Sequence, residues 1–287
     1  MESKLDSELI MNKVYINLNE LLIICTRIYG PLIQNMFQFL IHHKLFISSF
    51  SDLFVRVVNH SQTIIIFNNL PSFNVHNYKI IYNLAHLSNC IHLSINDTIV
   101  YGTPIIEEHI HGHKIIRHYN TFHQSNEMVK SVLYSKIYNI VNSSCSNIVC
   151  VGGECYVYAK ILFNKYRSCT IYSDYNDIIY YSYANLMVEK DIKNIRIHKV
   201  SYQQCFIEQS FNKQSSLNEQ TEYIIFNVRS LLPSHINVIK KLNPLNIIIV
   251  SCNDNNIKKL RQLVNYTIEI IPLYNIKLII CKQITHM

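Results

Sequence analysis

The chain has 287 residues, of which 49% are hydrophobic and 16% charged, and it contains 20 Tyr but only 5 Gly. This composition excludes a disordered tail protein, and the length provides for one large domain or two modest ones with packed cores. The formal charge of +7 suits an anionic partner such as RNA, but it is far below that of a dedicated nucleic-acid coat protein.

The cysteines and the N-terminal residues favour a cytoplasmic protein over a secreted one. The 9 Cys are odd in number and lie in apolar runs, and residues 1–6 are polar and acidic, unlike a signal peptide. We therefore expect reduced thiols in a soluble, cytoplasmic protein. The most apolar N-terminal stretch, residues 21–50, is interrupted by Arg27, Pro31 and Lys44, so we expect no membrane-spanning helix.

The first half of the chain predicts a mixed α+β region. Apolar positions at helical spacing in residues 19–43 indicate two helices with a break at Gly30-Pro31. Two β-branched runs, residues 53–58 and 63–67, flank turn residues and predict a β-hairpin. The other predicted elements of this half are a helix over 77–87, a strand over 91–95 and a second hairpin that joins 99–102 to 114–116.

The second half alternates strands with helices, which predicts right-handed βαβ crossovers and a mostly parallel, doubly wound α/β sheet. The predicted strands are 147–151, 169–172, 195–197, 223–226 and 247–250. The predicted helices are 126–141, 154–163, 176–188 and 234–241. In such a sheet, ligands bind beyond the carboxyl ends of the strands.

Two of these strand ends carry residues typical of a nucleoside cofactor site. Gly152 and Gly153 stand where the first strand turns into a helix, and a glycine there allows the backbone to approach a ligand closely. Asp174 follows the next strand about twenty positions later, where a carboxylate accepts hydrogen bonds from ribose hydroxyls. The alternative interpretation is an ordinary tight turn and a solvated aspartate.

A third strand end carries a candidate nucleophile. Cys252 follows the apolar strand 247–250. Three cations on the next predicted helix could favour its thiolate or hold a phosphate: Lys258, Lys259 and Arg261. The alternatives are a buried, inert thiol and a solvated helix face.

A metal site has weaker support. His109, His111 and His113 alternate on one strand face with Glu107, but no metal-binding motif surrounds them. We therefore predict no metal.

Several segments resemble, in order, the motifs of the S-adenosylmethionine-dependent RNA uracil-5-methyltransferases. Residues 101–108 resemble the family's Tyr-Gly…Glu hairpin, and residues 119–126 its Ser-Phe-Phe-Gln-x-Asn segment. Residues 174–195 resemble its second motif, and Val250-Ser251-Cys252-Asn253 matches its Val-Ser-Cys-Asn nucleophile motif without a gap. The likeness covers roughly residues 53–282, and the joint order is more specific than any single motif.

The resemblance implies a Rossmann-like class I methyltransferase domain over residues 119–287, preceded by a smaller α+β domain over residues 1–118. It implies S-adenosylmethionine as the cofactor and a structured RNA, either tRNA or rRNA, as the substrate. In this family a cysteine adds to C6 of uracil, C5 attacks the cofactor's methyl group, and a glutamate removes the C5 proton.

Site residues follow from the matching positions. Cys252 is the implied nucleophile. The implied cofactor contacts are Gln124, Gly152, Gly153, Asp174 and Asn227. The implied RNA contacts are Arg229, Lys258 and Lys259.

The chain also departs from the family pattern. Ile148 and Phe226 stand at positions that are acidic in the family, and the segment with the His-x-Glu base is expected to be deleted. Asp254 and Glu269 are the nearby carboxylates that we nominate as substitutes for that base. Two hypotheses follow: an active RNA uracil-C5 methyltransferase, favoured by the retained motif residues, or a degenerate fold that serves as a binding or scaffolding module, favoured by the losses.

Overall fold

The computed structural model describes residues 13–17, 35–36, 38–39, 42–43, 52–58, 62–68, 75–119, 121, 127–173, 185, 195–199, 221–228, 230–274 and 276–284. The predicted helices within residues 19–43 and 176–188 lie mostly outside these ranges. None of the described helices is both long and apolar enough to cross a bilayer.

The chain divides into two compact units. The first comprises Met1–Glu108, Arg117–Asn120 and Gln124–Met128. The second comprises His109–Ile116, Thr121–His123 and Val129–Met287. The predicted domain boundary between residues 118 and 119 stays a prediction.

In the described part of the first unit, five strands form a sheet in chain order: β1 (Lys13–Asn17), β2 (Asp52–Val58), β3 (Gln62–Asn68), β4 (Cys90–Ile95) and β5 (Thr98–Gly102). The antiparallel pairing of β2 with β3 confirms the first predicted hairpin. Between β3 and β4, which are parallel, runs α1 (Val75–Leu87), which confirms the predicted helix.

The core of this unit forms where α1 packs on the sheet. Ile81, Leu84 and Ala85 lie three and four residues apart and therefore on one helix face. They are buried in a cluster with Phe67 and Leu93 of the sheet. The apolar period of the sequence thus has its expected role of packing.

The second predicted hairpin is wrong. Residues 99–102 pair with β4, whereas 114–116 belong to a separate two-stranded sheet of β6 (Ile105–Ile110) and β7 (His113–His118). Gly102, with φ +73°, is a glycine because a Cβ there would overlap the Ile91 carbonyl oxygen of the neighbouring chain segment. It therefore marks a close backbone approach and not a hairpin turn.

The second unit contains the strands β8 (Cys145–Gly152), β9 (Tyr166–Ser173), β10 (Ile195–Lys199), β11 (Tyr223–Asn227), β12 (Asn246–Ser251), β13 (Tyr266–Leu273) and β14 (Ile276–Gln283). In the described residues these seven form one sheet, ordered β10-β9-β8-β11-β12-β14-β13. The first five strands of that order are parallel to one another, which confirms the predicted doubly wound arrangement. β14 pairs antiparallel with both β12 and β13.

Helices cover both faces of this sheet: α2 (Glu127–Ile140), α3 (Cys155–Ile161), α4 (Pro233–Leu242) and α5 (Asn255–Leu260). Residues of α2 and α3, such as Leu133 and Val157, share one buried cluster with the sheet. Residues of α4 and α5, such as Ile239 and Leu260, share another. Two buried faces explain why the central strands are continuous apolar runs without alternation.

The hairpin of β13 and β14 is absent from our sequence predictions. Pro272 lies within β13, and proline cannot donate a hydrogen bond to a ladder. The sheet tolerates it because β13 is the last strand in the order and its outer side has no neighbouring strand among the described residues.

Buried His235 at the start of α4 predicts acid sensitivity. Burial, with a smaller contribution from the positive charge of Lys259, lowers the pKa of His235 to about 4 from the ordinary 6.5. Below pH 6.5 the unfolded chain binds a proton that the folded chain does not, so folded stability is lost as the pH falls towards 4. The free energy of unfolding is expected to fall by about 3 kcal/mol once the pH is below the pKa of His235 in the folded protein.

We expect the free energy of unfolding in urea to fall more steeply between pH 6.5 and 4 for the wild type than for His235→Gln, whose side chain does not titrate. Equal pH slopes for the two proteins would contradict the assignment of a neutral, buried imidazole.

Candidate functional site

The sheet of the second unit has one topological switch point. The chain runs outward from β8 through β9 to β10, and then returns to add β11 and β12 on the other side of β8. Ligands of doubly wound sheets bind where the strand order reverses, beyond the carboxyl ends of the strands. Here that position lies beyond the ends of β8 and β11, where Gly152 is paired in register with Asn227.

Gly152 brings these two strand ends together. Its φ is +104°, and an added Cβ would overlap the carbonyl oxygen of Asn227. The next amide, Gly153 N–H, donates to the same oxygen at 2.9 Å. The two predicted cofactor glycines therefore have a demonstrable packing role, since they allow the end of β8 to contact the backbone of β11.

Glu154 follows this turn and is the centre of a buried polar cluster. It has a left-handed backbone with φ +56° and is 1% exposed. Its Oε1 accepts a hydrogen bond from the Tyr134 hydroxyl at 2.6 Å, and its Oε2 accepts one from Asn227 Nδ2 at 3.1 Å. Asn227 Nδ2 lies 3.0 Å from the Tyr158 hydroxyl. Four side chains, from α2, α3, β11 and the turn before α3, thus meet at the switch point.

The cluster has a definite electrostatic character. Burial raises the pKa of Tyr158 well above its usual value, and the charge of Glu154 raises it further. Tyr158 therefore stays protonated at neutral pH, and its hydroxyl remains neutral beside the carboxylate. Hydrogen bonds compensate the burial of a carboxylate, and such a group favours cationic or hydrogen-bond-donating ligands.

The candidate nucleophile lies at the same sheet edge. Cys252 directly follows β12 and is the exposed member of the described cysteines. The turn around it is held by Ser251, whose hydroxyl oxygen accepts from Asn253 N–H at 3.0 Å and from Asn256 Nδ2 at 2.9 Å. In register, Val250 lies beside Asn227, which lies beside Gly152. Two strand spacings therefore place Gly152 about 10 Å from Val250.

Our expectation that nearby lysines favour the thiolate is wrong in direction. Partial burial raises the pKa of the Cys252 thiol above its ordinary value, so at neutral pH the thiol predominates. The Lys259 ammonium instead donates to the Ser230 hydroxyl at 3.1 Å and to the Leu231 carbonyl oxygen. Together with Asn256, whose Oδ1 accepts from Leu231 N–H, it fastens α5 to the loop after β11.

The remaining predicted site residues either lie outside the described part of the chain or have roles that stay predictions. Gln124, Asp174 and Arg229 lie outside the described residues. Lys258 is exposed on α5, and its contact with RNA stays a prediction, as does that of Lys259. Among the described residues, no three His, Cys, Asp or Glu side chains converge to hold a metal ion.

The two substitute bases differ in position. Asp254 follows the nucleophile closely and forms an ion pair with Lys277. Glu269 of β13 is paired with Ile280 of β14, and Ile280 is paired with Ile248 of β12. Glu269 therefore lies level with a position that is three residues before the end of β12. The nomination of Glu269 is therefore weaker, because it does not reach the edge at which Cys252 lies.

Ile148 and Phe226 belong to the core. Ile148 lies four residues before Gly152 and is fully buried. Phe226 is also fully buried, in the cluster on the opposite face of the sheet. We attribute no missing cofactor contact to Ile148. Among the described residues, Glu154 is the acidic group at the switch point, and its sequence signal is a glutamate directly after two glycines.

Comparison with known proteins supports the fold. The structure is similar to the Pyrococcus abyssi tRNA (uracil-54, C5)-methyltransferase in complex with S-adenosyl-L-homocysteine, with TM-score 0.62 and 15% identity over 90% of this chain and 68% of that chain. It is also similar to the M. jannaschii tRNA m1G37 methyltransferase, with TM-score 0.53 and 12% identity over 90% and 80% of the two chains.

These likenesses confirm the expected Rossmann-like methyltransferase fold. At such identities the similarity is one of fold. No protein-family model and no curated protein matches the sequence.

The role of Gly152 is testable against a matched glycine of the same unit. Gly112 also has a positive φ of +76°, but an added Cβ there meets no atom within 4 Å. We expect Gly112→Ala to lower the free energy of unfolding only by its backbone strain, about 1 kcal/mol or slightly more. We expect Gly152→Ala to lower it by about 1 to 3 kcal/mol more than that, because the Cβ displaces the end of β11. Urea unfolding measures both, and equal losses would show that the approach of the two strands is not constrained.

Proposed function

We propose that the protein is an S-adenosylmethionine-dependent RNA methyltransferase whose cofactor binds at the switch point between β8 and β11. One observation carries the proposal. The reversal of strand order, a glycine turn with no room for a side chain, and the buried Glu154–Asn227 hydrogen bond all occur at the same place. Few positions in a doubly wound sheet combine a ligand-binding geometry with a buried charge.

The chemistry of the cofactor suits this position. S-adenosylmethionine carries a sulfonium cation, an ammonium group and two ribose hydroxyl donors. A buried carboxylate attracts cationic groups and accepts their hydrogen bonds. Glu154 would thus supply the acid that the family pattern places elsewhere, and Asn227 would orient it. Gln124 and Asp174 remain proposed contacts, Asp174 to the ribose.

An RNA substrate is supported by charge and by similarity. The chain has a formal charge of +7, and Lys258 is exposed on the helix that follows the candidate nucleophile. The two similar solved enzymes act on tRNA according to their names. We propose tRNA or rRNA, with the target base unstacked so that it reaches the sheet edge, and Arg229 and Lys258 at its phosphates.

The finer proposal is methylation at uracil C5 through Cys252. The thiolate adds to C6, and C5 then attacks the methyl carbon and releases S-adenosylhomocysteine. A base removes the C5 proton, the C5–C6 double bond re-forms and the sulfur leaves as thiolate. Asp254 is the nominated base, and general-base help of this kind is typically worth about 10² to 10⁴ in rate.

The competing function is a binding module that retains the fold. It is favoured by the burial of every residue from 151 to 160 and by the internal partners of both Glu154 carboxylate oxygens. In a binding module these hydrogen bonds would only stabilise the fold, and Glu154 would contact no ligand. In an enzyme they hold the carboxylate ready for the cofactor.

Calorimetry with S-adenosylmethionine distinguishes the two. We expect the wild type to bind, and Glu154→Gln to bind about 10- to 150-fold more weakly, because a hydrogen bond to a charged group contributes about 1.5 to 3 kcal/mol. Glu107→Gln, an exposed glutamate of β6, is the matched control and should bind like the wild type. A wild type that does not bind supports the module, and an unchanged Glu154→Gln refutes the assigned contact.

Cys252→Ala separates catalysis from cofactor binding. We expect this variant to bind S-adenosylmethionine normally but to form no 5-methyluridine in tRNA or rRNA and no denaturation-resistant RNA adduct.

Because burial raises the pKa of Cys252, the wild-type rate should keep rising with pH through the ordinary thiol value of about 8.5. Formation of 5-methyluridine by Cys252→Ala at the wild-type rate would refute the nucleophile, and a rate that is flat above pH 7 would refute the raised pKa.

A further inference from the structure

The first unit carries an exposed aromatic surface that the proposed methyltransferase site does not use. We call it the Tyr82 surface, and it consists of Tyr78, Lys79, Tyr82 and His86 of α1 and Tyr101 of β5. Tyr78, Tyr82 and His86 are spaced by four residues and therefore share one side of the helix. Tyr101 is brought to the same place by the pairing of β5 with β4.

The rings are exposed but ordered against one another. Tyr78 is 52% exposed and Tyr82 56% exposed. The Tyr82 ring centroid lies 4.6 Å from that of His86 and 5.9 Å from that of Tyr101, and the His86 and Tyr101 centroids are 5.8 Å apart. All three pairs are steeply inclined, which is the favourable edge-to-face geometry. These three rings therefore hold one another in place, and Tyr82 and His86 remain exposed to solvent while Tyr101 is half-buried.

Four of these residues, all except His86, line a concavity of about 370 Å³. Its lining residues are Tyr78, Lys79, Ile81, Tyr82, Val100 and Tyr101. This volume lies within the usual range of small-ligand sites, about 300 to 1,000 Å³. The floor is apolar and aromatic, which suits a flat, weakly polar group such as a nucleobase.

The charge of this surface selects among partners. Lys79 stands between the tyrosines, and neither α1 nor β5 contains an Asp or Glu. Aromatic rings beside a cation, without nearby carboxylates on the same elements, match the combination that binds single-stranded nucleic acid. Bases stack on the rings, and the cation contacts the phosphate backbone.

We propose that the Tyr82 surface binds an unpaired stretch of RNA, with a base stacked on the aromatic rings and Lys79 at a phosphate. The choice of RNA as the occupant rests on the proposed function, but the surface belongs to the other unit of the chain and does not depend on the cofactor. It would supply affinity for the substrate separately from the chemistry.

Fluorescence anisotropy of the full chain with a labelled, unstructured RNA of about 10 nucleotides tests this proposal. We expect Tyr82→Ala to weaken binding about 5- to 150-fold, the usual range for loss of one base–aromatic stack, and Tyr82→Phe to bind like the wild type. Lys79→Gln should weaken binding and lower the slope of log affinity against log salt by about 0.7, because one phosphate contact to a single strand is lost.

Leu87→Ala is the matched control. Leu87 lies on the same helix and is also 56% exposed, but it is about 140° around the helix from Tyr82. It should bind RNA like the wild type. Equal binding by Tyr82→Ala and wild type, or equal weakening by Leu87→Ala, overturns the proposal.

Two further readouts separate this proposal from the others. Calorimetry with S-adenosylmethionine should give the same affinity for Tyr82→Ala and the wild type. If the wild type does not bind the cofactor but binds RNA, and Tyr82→Ala weakens that RNA binding, the Tyr82 surface is supported and the enzyme is refuted. Light scattering tests whether the surface instead binds a second copy of the chain. If the wild type is a dimer, Tyr82→Ala is a monomer and RNA binding is unchanged, the RNA proposal is refuted.

Discussion

The contact between the Gly152 backbone and the Asn227 carbonyl determines the rest of the candidate site. A side chain at position 152 would overlap that oxygen, and the Gly153 amide bonds to it. With its backbone fixed in this way, Asn227 directs its side-chain amide to Glu154 and the Tyr158 hydroxyl. Because Glu154 precedes α3 and Tyr158 lies within it, the same contact also sets the start of the helix behind the switch point.

The carboxyl edge of the sheet is electrostatically divided. At β8 and β11 it carries a buried carboxylate held by a tyrosine hydroxyl and an amide. At β12 it carries the exposed Cys252 thiol, whose pKa partial desolvation raises above its ordinary value, followed by Lys258 on α5. The first half suits a cationic cofactor, and the second suits an anionic RNA from which one base is presented. One edge can therefore hold a cationic cofactor beside an anionic RNA, as the proposed transfer of a methyl group to RNA requires.

Strand and helix alternation in the sequence predicted most of the second unit, because fully buried parallel strands are conspicuous apolar runs. It did not predict the contacts of Glu154, because Tyr134 and Asn227 are 20 and 73 residues away and no local pattern reports such distances. The role of Gly102 could not be predicted, because a glycine required by a close approach looks the same in sequence as one required by a turn. Pro272 makes β13 hard to predict, because a proline within an apolar run argues against a strand unless that strand lies at the edge of its sheet.

Hydrogen–deuterium exchange of the full chain with and without S-adenosylmethionine tests the central claim most directly. If the cofactor binds between β8 and β11, amides in residues 152–158 and 227–232 exchange more slowly in its presence, and the amides of α1 do not change. Unchanged exchange in both segments at a saturating cofactor concentration, or protection confined to the first unit, would contradict the assignment of the switch point as the cofactor site.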